Sequence, residues 1–454
     1  MKFLFITKPF FIEPLGIMYL SSAMKQEGHQ TSLVTTNEDL ENRVSEFKPD
    51  FVGYSIMTGD QKFYDRINEG LRQKFDFFSV AGGPHPTFFP EFLEESSFDA
   101  ICRGEGEEAI RKFMQNPASK NIPNFWFKTK EGVIKNPLQD FIGDLDDISF
   151  PDREIVFAYP EIREGPIKHF IASRGCPFNC SYCFNASYSD LYKGKGRRVR
   201  FRSVENMIRE VESVISSSPT RFVYFQDDTF TLDRTWLNEF AEKYSERVKL
   251  PFHCHVRPNT IDEEKIQALK RAGCYSVHIA AETADDFLRN DILKRNMTKE
   301  QITNASALLK KYGIRFMLQN IIGLPEGSLQ KDLETLELNI QCQPDYSWVS
   351  IFQPYPKTIL GEYCKQKGFY TGNFDDLDSN FFDSSKLNFP EEYRNQLSNL
   401  QKLFAVAVEH PDLYHSGLLR ALIDLPSSST REIFAKFYRD FRKKGDEKLY
   451  GFSL

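Results

Sequence analysis

Long apolar runs are missing from this 454-residue sequence, since none reaches the roughly 18 residues that a membrane-spanning helix needs. The opening stretch, MKFLFITKPF, is too short for a secretory signal and has no small-residue cleavage site. A strong excess of positive charge is also missing, because 58 Lys and Arg stand against 64 Asp and Glu. Such a balance argues against a nucleic-acid-binding surface spread over the whole molecule. We therefore expect a cytoplasmic protein that binds neither membranes nor nucleic acids.

Cysteine is scarce, with eight residues in the whole chain. At this length and without a secretion signal, a disulfide framework is a poor interpretation of the even count. Most of the cysteines stand alone, as small buried apolar residues of a cytosolic chain usually do: Cys102, Cys254, Cys274, Cys342 and Cys364. The other three, Cys176, Cys180 and Cys183, lie within eight residues, and only their spacing suggests chemistry.

Residues 1–140 alternate short apolar runs with helix-like stretches. KFLFIT, TSLVTT, DFVGYSI, FFSVAGG and FDAICRG have the pattern of strands, and helical segments lie between them. This alternation predicts βαβ units around a parallel sheet, and hence a Rossmann-like α/β domain. Ligands of such sheets bind beyond the carboxyl ends of the strands. The loops expected there, KPFFIEPLG, SIMTGD and GGPHPTFFPE, together predict a cofactor crevice.

A second α/β domain is predicted over residues 166–375, after an acidic linker at 141–165 that has no sustained period. Strand candidates that are each followed by a helical stretch predict a partial (β/α)6 barrel: KHFIASR, RFVYFQDD, FHCHVRP, YSVHIAAE, IRFMLQNIIGLP and YSWVSIFQPYP. Residues 376–454 have no strand signal, so they predict a small C-terminal helical cap.

The three clustered cysteines, Cys176, Cys180 and Cys183, fit an iron–sulfur cube better than a zinc ion. A structural zinc site takes four ligands, and the nearest upstream histidine, His169, lies on the preceding predicted strand. Cysteine thiolates are the usual ligands of iron–sulfur clusters. Three of them leave one iron without a protein ligand. The pattern C-x-x-x-C-x-x-C therefore predicts a cluster that binds a small molecule.

The segment IASRGCPFNCSYCFN resembles the cluster loop of the radical S-adenosylmethionine (SAM) superfamily. The resemblance implies that Cys176, Cys180 and Cys183 hold a 4Fe-4S cluster whose open iron is chelated by SAM. Reductive cleavage of SAM then gives a 5′-deoxyadenosyl radical that takes a hydrogen atom from the substrate. An external one-electron reductant of the flavodoxin or ferredoxin type is implied as a partner.

Further residues match SAM-binding positions of that superfamily. Tyr182 matches the aromatic residue beside the adenine, and Glu282 matches an acidic residue at the end of the fourth strand. The end of the second strand binds the methionine amino group through a Gly-Gly-Glu motif in most members. This chain has FQDD there, so Gln226, Asp227 and Asp228 are all candidates. The GLP motif, Gly323–Pro325, matches a backbone contact near the adenine.

Alternation along the predicted barrel strands gives polar inner faces. His253, His255 and Arg257 share one face of FHCHVRP, because residues two apart in a strand point the same way. His278 and Glu282 share a face of YSVHIAAE in the same manner. Unpaired polar groups in a dry core would be costly, so these faces predict a ligand-holding lumen. A metal site at the histidines is conceivable, but we favour hydrogen-bonded lumen residues or substrate contacts.

A basic segment, KGKGRRVRFRS at 193–203, follows the cluster loop. We interpret it mainly as a solvated loop. The alternative is an anion-binding lip for a charged substrate.

The N-terminal domain resembles the one that precedes the barrel in cobalamin-dependent radical SAM enzymes. The segments PLGIMYLSSAM, GGPHPTFFPE and RGEGEEAI carry the resemblance. Gly82, Gly83 and Pro84 are then candidate cobalamin contacts, because glycine lets the backbone approach a flat ring closely. The Asp-x-His-x-x-Gly loop that supplies a cobalt ligand in other cobalamin proteins is absent, and we interpret His85 as structural.

The resemblance implies a cobalamin-dependent enzyme that methylates an unactivated carbon of a small-molecule or natural-product substrate. Non-methylating chemistry stays open: ring rearrangement, carbon–carbon coupling or aminocarboxypropyl transfer. A methylthiotransferase is disfavoured because the first domain has Cys102 alone. The alternative of another class is a corrinoid-binding or redox-sensing module, for which a barrel with a polar lumen would be superfluous. No residue is assigned a catalytic role from the sequence.

Overall fold

The computed structural model describes residues 1–372 and 381–452, and within it the chain forms two compact units. Unit 1 consists of Met1–His169 and Tyr192–Thr220, and unit 2 of Phe170–Leu191 and the chain from Arg221 onward. The predicted boundary between residues 375 and 376 lies outside the described residues. The other predicted domain boundaries, at 140/141 and 165/166, stay predictions.

The strands are numbered here in chain order. They are β1 (Lys2–Thr7), β2 (Gln30–Thr35), β3 (Phe51–Ser55), β4 (Phe78–Gly82), β5 (Ala100–Cys102), β6 (Phe125–Thr129), β7 (Gly132–Lys135), β8 (Ile167–Phe170), β9 (Ser173–Arg174), β10 (Arg200–Phe201), β11 (Phe222–Phe225), β12 (Phe252–His255), β13 (Cys274–Glu282), β14 (Arg315–Ile322) and β15 (Tyr346–Ile351).

The helices are numbered in the same way. They are α1 (Leu15–Gln26), α2 (Leu40–Phe47), α3 (Gln61–Arg72), α4 (Pro84–Phe88), α5 (Phe92–Glu95), α6 (Glu107–Gln115), α7 (Glu154–Phe157), α8 (Pro160–Arg163), α9 (Phe184–Leu191), α10 (Val204–Ser217), α11 (Arg234–Arg247), α12 (Glu263–Ala272), α13 (Lys299–Lys311), α14 (Leu329–Cys342), α15 (Ile359–Gln366), α16 (Glu391–Glu409), α17 (Asp412–His415), α18 (Leu418–Ile423) and α19 (Ser427–Tyr450).

Unit 1 is built on a sheet with the strand order β2-β1-β3-β4-β5-β6-β7. The strands β1 to β5 pair in parallel, as the βα alternation predicts. Both faces are covered: on β1, Phe3 and Phe5 join one apolar cluster, and Leu4 and Ile6 join the other. An antiparallel hairpin, β6–β7, extends the edge and was not predicted. The predicted linker at 141–165 contains the short helices α7 and α8.

Unit 2 is built on a second sheet, in which β8, ending at Phe170, is followed by β11, β12, β13, β14 and β15. The described pairs from β11 to β15 are parallel. Local signals set the helices between them. For example, Asp262 caps α12 by accepting a hydrogen bond from the Lys265 amide, and Gly273 ends it with a φ of 90°. Six strands in sequential order form the predicted partial barrel.

The C-terminal helices pack on this sheet. Leu397, Leu400 and Phe404 of α16 join the apolar cluster that contains Ile322 and Ile351. At the other end, α19 reaches β13, where the Ser276 hydroxyl donates a 2.5 Å hydrogen bond to the Leu449 carbonyl. Among the residues that the structure describes, none of the helices is both long enough and apolar enough to cross a membrane.

Candidate functional site

The cluster loop follows the first strand of the unit 2 sheet. Gly175 turns the chain with a φ of 87°, and the Cys183 amide donates to the Cys180 carbonyl at 3.1 Å. Burial raises the pKa of Cys183 to about 11, and the neighbouring charges of Asp228, Cys180 and Cys176 contribute to this rise. The three thiols therefore lie close enough to influence one another. A soft cation that favours thiolates, such as the irons of a cluster, would relieve this repulsion.

Arg257, at the end of β12, contacts this loop directly. Its Nη1 donates to the Cys180 Sγ at 3.3 Å, and its guanidinium lies 3.9 Å from the centre of the Phe178 ring. Arg257 is buried, so its charge acts on Cys180 with little screening by water. The sequence placed Arg257 on the polar face of the strand but did not assign it to the cluster.

Ser181 fixes the loop to the rest of unit 2. Its hydroxyl donates to the Ile292 carbonyl at 2.5 Å, and its amide donates to the Leu293 carbonyl at 3.0 Å. Its own carbonyl accepts from the Leu360 amide at 2.8 Å. With every polar group of this residue bonded, the cysteines on both sides of it are held in place.

Tyr182, which is half-buried, forms a triad in unit 2 with the buried residues Glu282 and Arg295. The Tyr182 hydroxyl donates to the Glu282 Oε1 at 2.7 Å, and the Arg295 Nη1 donates to the Tyr182 oxygen at 2.7 Å and to Glu282 at 3.3 Å. Burial raises the pKa of Tyr182, and the Glu282 charge adds to the rise although Arg295 opposes it, so the phenol keeps its proton. Two predicted SAM-binding residues are thus brought together, by an arginine that the sequence did not single out.

Glu282 sits at a break in the sheet. Its φ is 65°, which is unusual for a residue with a side chain, and the β13–β14 register shifts between Ala280 and Glu282. Bulges of this kind re-aim a side chain at the end of a strand. The strained backbone conformation at Glu282 therefore turns its carboxylate towards Tyr182.

The three candidate SAM-binding residues at the end of β11 differ in burial and in hydrogen bonding. Asp227 is fully buried and accepts hydrogen bonds from the Ala172 amide at 3.0 Å and from the Ser173 hydroxyl. Burial raises its pKa to about 6. Asp228 is exposed and accepts from the Asn185 side chain at 2.8 Å. Gln226 differs from both, because its buried Nε2 has no hydrogen-bond partner.

The GLP motif begins with a glycine whose backbone conformation would be strained in a residue with a side chain. Gly323 has a φ of 68°, and a Cβ there would lie 2.8 Å from the Leu397 side chain. Its amide donates to the buried carboxylate of Asp332 at 3.1 Å. Burial raises the pKa of Asp332 to about 7. Pro325 is buried at the next turn.

In unit 1, Gly83 follows β4 in a conformation that a side chain would not allow. Its φ is 96°, and a Cβ would lie 2.9 Å from the Ile56 amide nitrogen, at the end of β3. Gly82 ends β4, and Pro84 begins the short helix α4. His85 is buried and stacks on Phe89 at 5.1 Å. Gly83 therefore allows the carboxyl ends of β3 and β4 to lie close together.

Apolar side chains are exposed at the same edge of the unit 1 sheet. Phe11 and Ile12, which follow β1, are 93% and 58% exposed, and Met57, which follows β3, is 57% exposed. Large exposed apolar residues at the carboxyl ends of parallel strands are expected where a bulky ligand binds. These exposed apolar side chains fit the broad face of a corrin ring.

Glu13 anchors the loop that carries Phe11 and Ile12. Its carboxylate accepts from Arg153 at 2.8 Å and from the His169 amide at 2.6 Å, all within unit 1. Burial alone would raise its pKa, but the Arg153 charge and the bonds from His169 lower it to about 2. The sequence did not single out Glu13, since a lone glutamate in a proline-containing loop carries no signal of its own.

Comparison with known proteins gives a consistent result. Residues 170–338 match the model of the radical SAM superfamily, and residues 1–114 match that of the B12 binding domain. The chain is 30% identical over 372 residues to an uncharacterized methyltransferase of Pyrococcus horikoshii. The match covers 77% of this chain and 78% of the relative. The chain belongs to the radical SAM superfamily, in its cobalamin-binding branch.

Two further comparisons extend this picture. The anaerobic magnesium-protoporphyrin IX monomethyl ester cyclase of Rubrivivax gelatinosus is 28% identical over 373 residues, covering 76% of this chain and 65% of the relative. The radical SAM methyltransferase TsrM from Kitasatospora setae, solved with cobalamin and a 4Fe-4S cluster bound, has the same fold. Its TM-score is 0.66 at 17% identity, with 82% of this chain and 79% of TsrM covered.

Family membership confirms the predicted α/β architecture and the cofactor set of a 4Fe-4S cluster, SAM and cobalamin. It also confirms that the chain is a radical SAM enzyme, which argues against a corrinoid-binding or redox-sensing module. The individual site residues were not tested by the comparisons, so their roles stay predictions.

The basic segment at 193–203 is only partly the solvated loop that we expected. Arg200 is buried and donates to Glu105 at 2.7 Å, and Arg202 is buried beside Glu210. Both pairs lie within unit 1, where they hold elements of this unit together. Charge patterning along the sequence could not separate these arginines from their solvated neighbours, because only the fold brings them to their acidic partners, Glu105 at 95 positions from Arg200 and Glu210 at 8 positions from Arg202.

The histidines of the predicted lumen do meet. One ring nitrogen from each of His253, His255 and His278 can be chosen so that the three atoms lie within 4.8 Å of one another. Tyr224 of the neighbouring strand β11 shares their face, with its hydroxyl 2.9 Å from the His255 Nε2. The sequence placed these histidines on polar faces but did not establish that the strands bring them together.

Proposed function

We propose that the enzyme methylates an unactivated carbon of a small-molecule or natural-product substrate, using cobalamin and two molecules of SAM. The observation that carries the proposal is the presence of two sites in one chain. Unit 2 has the cysteine loop with the Tyr182–Glu282 pair, and unit 1 exposes Phe11, Ile12 and Met57 at the edge of its sheet. The relative in Pyrococcus horikoshii, which is named a methyltransferase, supports the reaction type.

The residues of unit 2 suit the binding of a cluster and of SAM. Cys176, Cys180 and Cys183 would hold the cluster, which supplies the electron that cleaves the sulfonium. The Glu282 carboxylate, aimed by its bulge and by Tyr182, would accept hydrogen bonds from SAM hydroxyl or amino groups. We assign the methionine contact at the end of β11 to Gln226, because its buried Nε2 is an unpaired donor that suits the methionine carboxylate, while Asp227 already accepts from the Ala172 amide.

The remaining candidates form the backbone surroundings of these ligands. Gly323 and Pro325 would lie along the adenine, where the positive φ of the glycine keeps the turn compact. In unit 1, Gly82, Gly83 and Pro84 would support the corrin beside the exposed apolar residues. His85 is stacked on Phe89, which agrees with a structural role and with a cobalt that has no histidine ligand beneath it.

A second candidate function is non-methylating radical chemistry with the same cofactors. The 28% identity to an anaerobic magnesium-protoporphyrin IX monomethyl ester cyclase favours it, since the match covers 76% of this chain and 65% of that relative. Ring rearrangement, carbon–carbon coupling and aminocarboxypropyl transfer remain in this group. The two functions differ in what they leave of SAM. Methylation consumes two SAM molecules and leaves S-adenosylhomocysteine together with 5′-deoxyadenosine and methionine. Non-methylating radical cleavage leaves 5′-deoxyadenosine and methionine alone, and aminocarboxypropyl transfer leaves 5′-methylthioadenosine.

The test is to incubate the reduced, cobalamin-loaded enzyme with SAM and to measure both products. We expect S-adenosylhomocysteine to form in cobalamin-loaded protein and to be absent from a preparation made without cobalamin. 5′-Deoxyadenosine should form in both preparations and should be lost in the triple variant of Cys176, Cys180 and Cys183. Cobalamin-loaded protein that makes 5′-deoxyadenosine but never S-adenosylhomocysteine would favour the second function.

The expected setting follows from the same chemistry. The cluster needs an external one-electron reductant of the flavodoxin or ferredoxin type, and a cytoplasmic location would supply one. The net charge of −6 and the burial of Arg200 and Arg202 leave little support for nucleic acid as a partner.

A further inference from the structure

Backbone register brings three histidines together in unit 2. His253 and His255 are two residues apart on β12, so they share one face of the strand. The parallel pairing of β12 with β13 sets His255 directly opposite His278, and the ring centres of His253 and His278 are 4.2 Å apart. Their proximity is therefore a property of the sheet and does not depend on one side-chain rotamer.

The hydrogen bonds of His253 fix the position of its proton. The Ser276 hydroxyl donates its single hydrogen to the Leu449 carbonyl at 2.5 Å. At the 2.6 Å contact between the Ser276 oxygen and the His253 Nδ1, the serine must therefore accept. The proton lies on Nδ1, and Nε2 has a bare lone pair. Histidines that bind metals are commonly oriented in this way by a hydrogen bond at the other nitrogen.

The bare nitrogen of His253 has no protein partner. Its Nε2 is buried without a hydrogen bond, and the residue is 0% exposed. The Nε2 of His278 is buried and unpaired in the same way. Leaving such groups unsatisfied costs on the order of 1–3 kcal/mol each. Two unpaired nitrogens in one cluster indicate that something other than the described residues binds there.

The cluster is suited to a cation in spite of its burial. Burial lowers the pKa of His255 to about 4 and lowers those of His253 and His278 as well, so all three rings are neutral at pH 7. A metal ion would therefore displace no proton from them. Arg442 of α19 lowers the pKa of His278 further, but its charge is offset by Asp446, whose carboxylate lies 3.7 Å away.

We propose that His253, His255 and His278 bind a divalent transition-metal ion of the zinc class, at a site separate from the cysteine cluster. Imidazole nitrogens suit zinc, iron and copper, and three histidines leave one coordination position open. In a tetrahedral zinc site with bonds of ~2.0–2.1 Å the nitrogens are about 3.4 Å apart. The rings therefore move together by roughly 1 Å when the ion binds.

Zinc is the probe of this site, because it is distinguished from the iron and cobalt of the other cofactors. The cluster-loaded full chain is equilibrated anaerobically with zinc sulfate in a chelator buffer, and its zinc content and zinc K-edge absorption are measured. We expect about one zinc ion per chain, bound by nitrogen at ~2.0–2.1 Å. Sulfur at ~2.3 Å would mean that zinc occupies the cysteines instead, and the proposal would be wrong.

Variants identify the ligands. His253→Leu with His278→Phe should abolish zinc binding, whereas His410→Phe, at a histidine that contacts the Phe441 ring edge-on, should not change it. Ser276→Ala keeps all three ligands but removes the bond that orients His253, so zinc affinity should fall by about 10–100-fold. Zinc content that stays at one ion per chain in the double variant, or an absence of zinc from the wild-type chain, would overturn the proposal.

Discussion

The phenol of Tyr182, in the cluster loop, donates a 2.7 Å hydrogen bond to the carboxylate of Glu282, at the far end of β13. One residue belongs to the motif that holds the iron–sulfur cluster, and the other ends the fourth strand of the barrel. This bond ties the expected position of the cluster to the expected position of SAM. Glu282 adopts a strained backbone conformation to make it.

Glu282→Gln should weaken SAM binding while the cluster stays loaded. The charged acceptor becomes neutral, and a charge-assisted hydrogen bond is worth about 1.5–3 kcal/mol, or roughly 10–150-fold in affinity. The measurement is a titration of the cluster-loaded chain with SAM. Glu326→Gln is the matched control, because Glu326 also has a positive φ, of 61°, but is exposed. Equal affinity in the wild type and Glu282→Gln would remove Glu282 from the site.

Gln226→Ala should also weaken SAM binding, since we assign the methionine contact to its unpaired amide. Asp227→Ala should act differently, because Asp227 accepts from the Ala172 amide and the Ser173 hydroxyl, just before the cysteines. We expect it to reduce the yield of assembled cluster. Iron content and SAM affinity, measured on both variants, separate the two roles. A normal cluster with weak SAM binding in Asp227→Ala would reverse the assignment.

Arg257→Met should lower the reduction potential of the cluster. Arg257 donates to the Cys180 Sγ, and a cation beside a sulfur ligand favours the reduced state, which carries one more negative charge. Loss of about 1.4 kcal/mol of this stabilisation corresponds to ~60 mV for one electron. A redox titration followed by electron paramagnetic resonance measures the change. Arg257→Lys keeps the charge and should recover part of the shift, whereas an unchanged potential in Arg257→Met would contradict the role.

Glu13→Gln should destabilise unit 1 by ~3 kcal/mol near neutral pH, because the pKa of Glu13 in the folded chain, about 2, lies below the ordinary glutamate value of 4.5. A carboxylate with a lowered pKa stabilises the fold above pH 4.5, and its contribution is lost as the pH falls towards 2. The difference between wild type and variant should therefore shrink in acid.

Hydrogen exchange in the segment around residue 13, followed from pH 7 to about pH 2, checks this dependence. Glu154→Gln is the control, because its side chain is 89% exposed. A stability difference between wild type and Glu13→Gln that does not change with pH would mean that the charge of Glu13 does not contribute to the Arg153 contact.

Sequence patterns predicted the fold well where each element carries its own signal. The alternation of strands and helices defined both parallel sheets, and the spacing of Cys176, Cys180 and Cys183 defined the cluster loop. The hairpin β6–β7 was missed because it follows the last βα unit, where nothing in the alternation announces a change to antiparallel pairing.

The residues that the sequence missed act through contacts between distant segments. Arg295 meets Tyr182 from 113 positions away, and Arg153 meets Glu13 from 140 positions away. Single charges of this kind have no periodicity or motif, so only the folded chain pairs them. The histidine cluster is an intermediate case: alternation placed each ring on a polar face, but the β12–β13 register decided that the rings meet.

The cobalt content of the purified chain shows whether the enzyme binds cobalamin. The full chain is purified anaerobically from cells supplied with cobalamin, and cobalt and iron are measured per chain beside the products of SAM. We expect about one cobalt and about four irons per chain. The electron paramagnetic resonance signal of the cobalt should show no coupling to an imidazole nitrogen. Cobalt near zero in a chain that still cleaves SAM to 5′-deoxyadenosine would contradict this expectation, and would leave a radical enzyme that works without cobalamin.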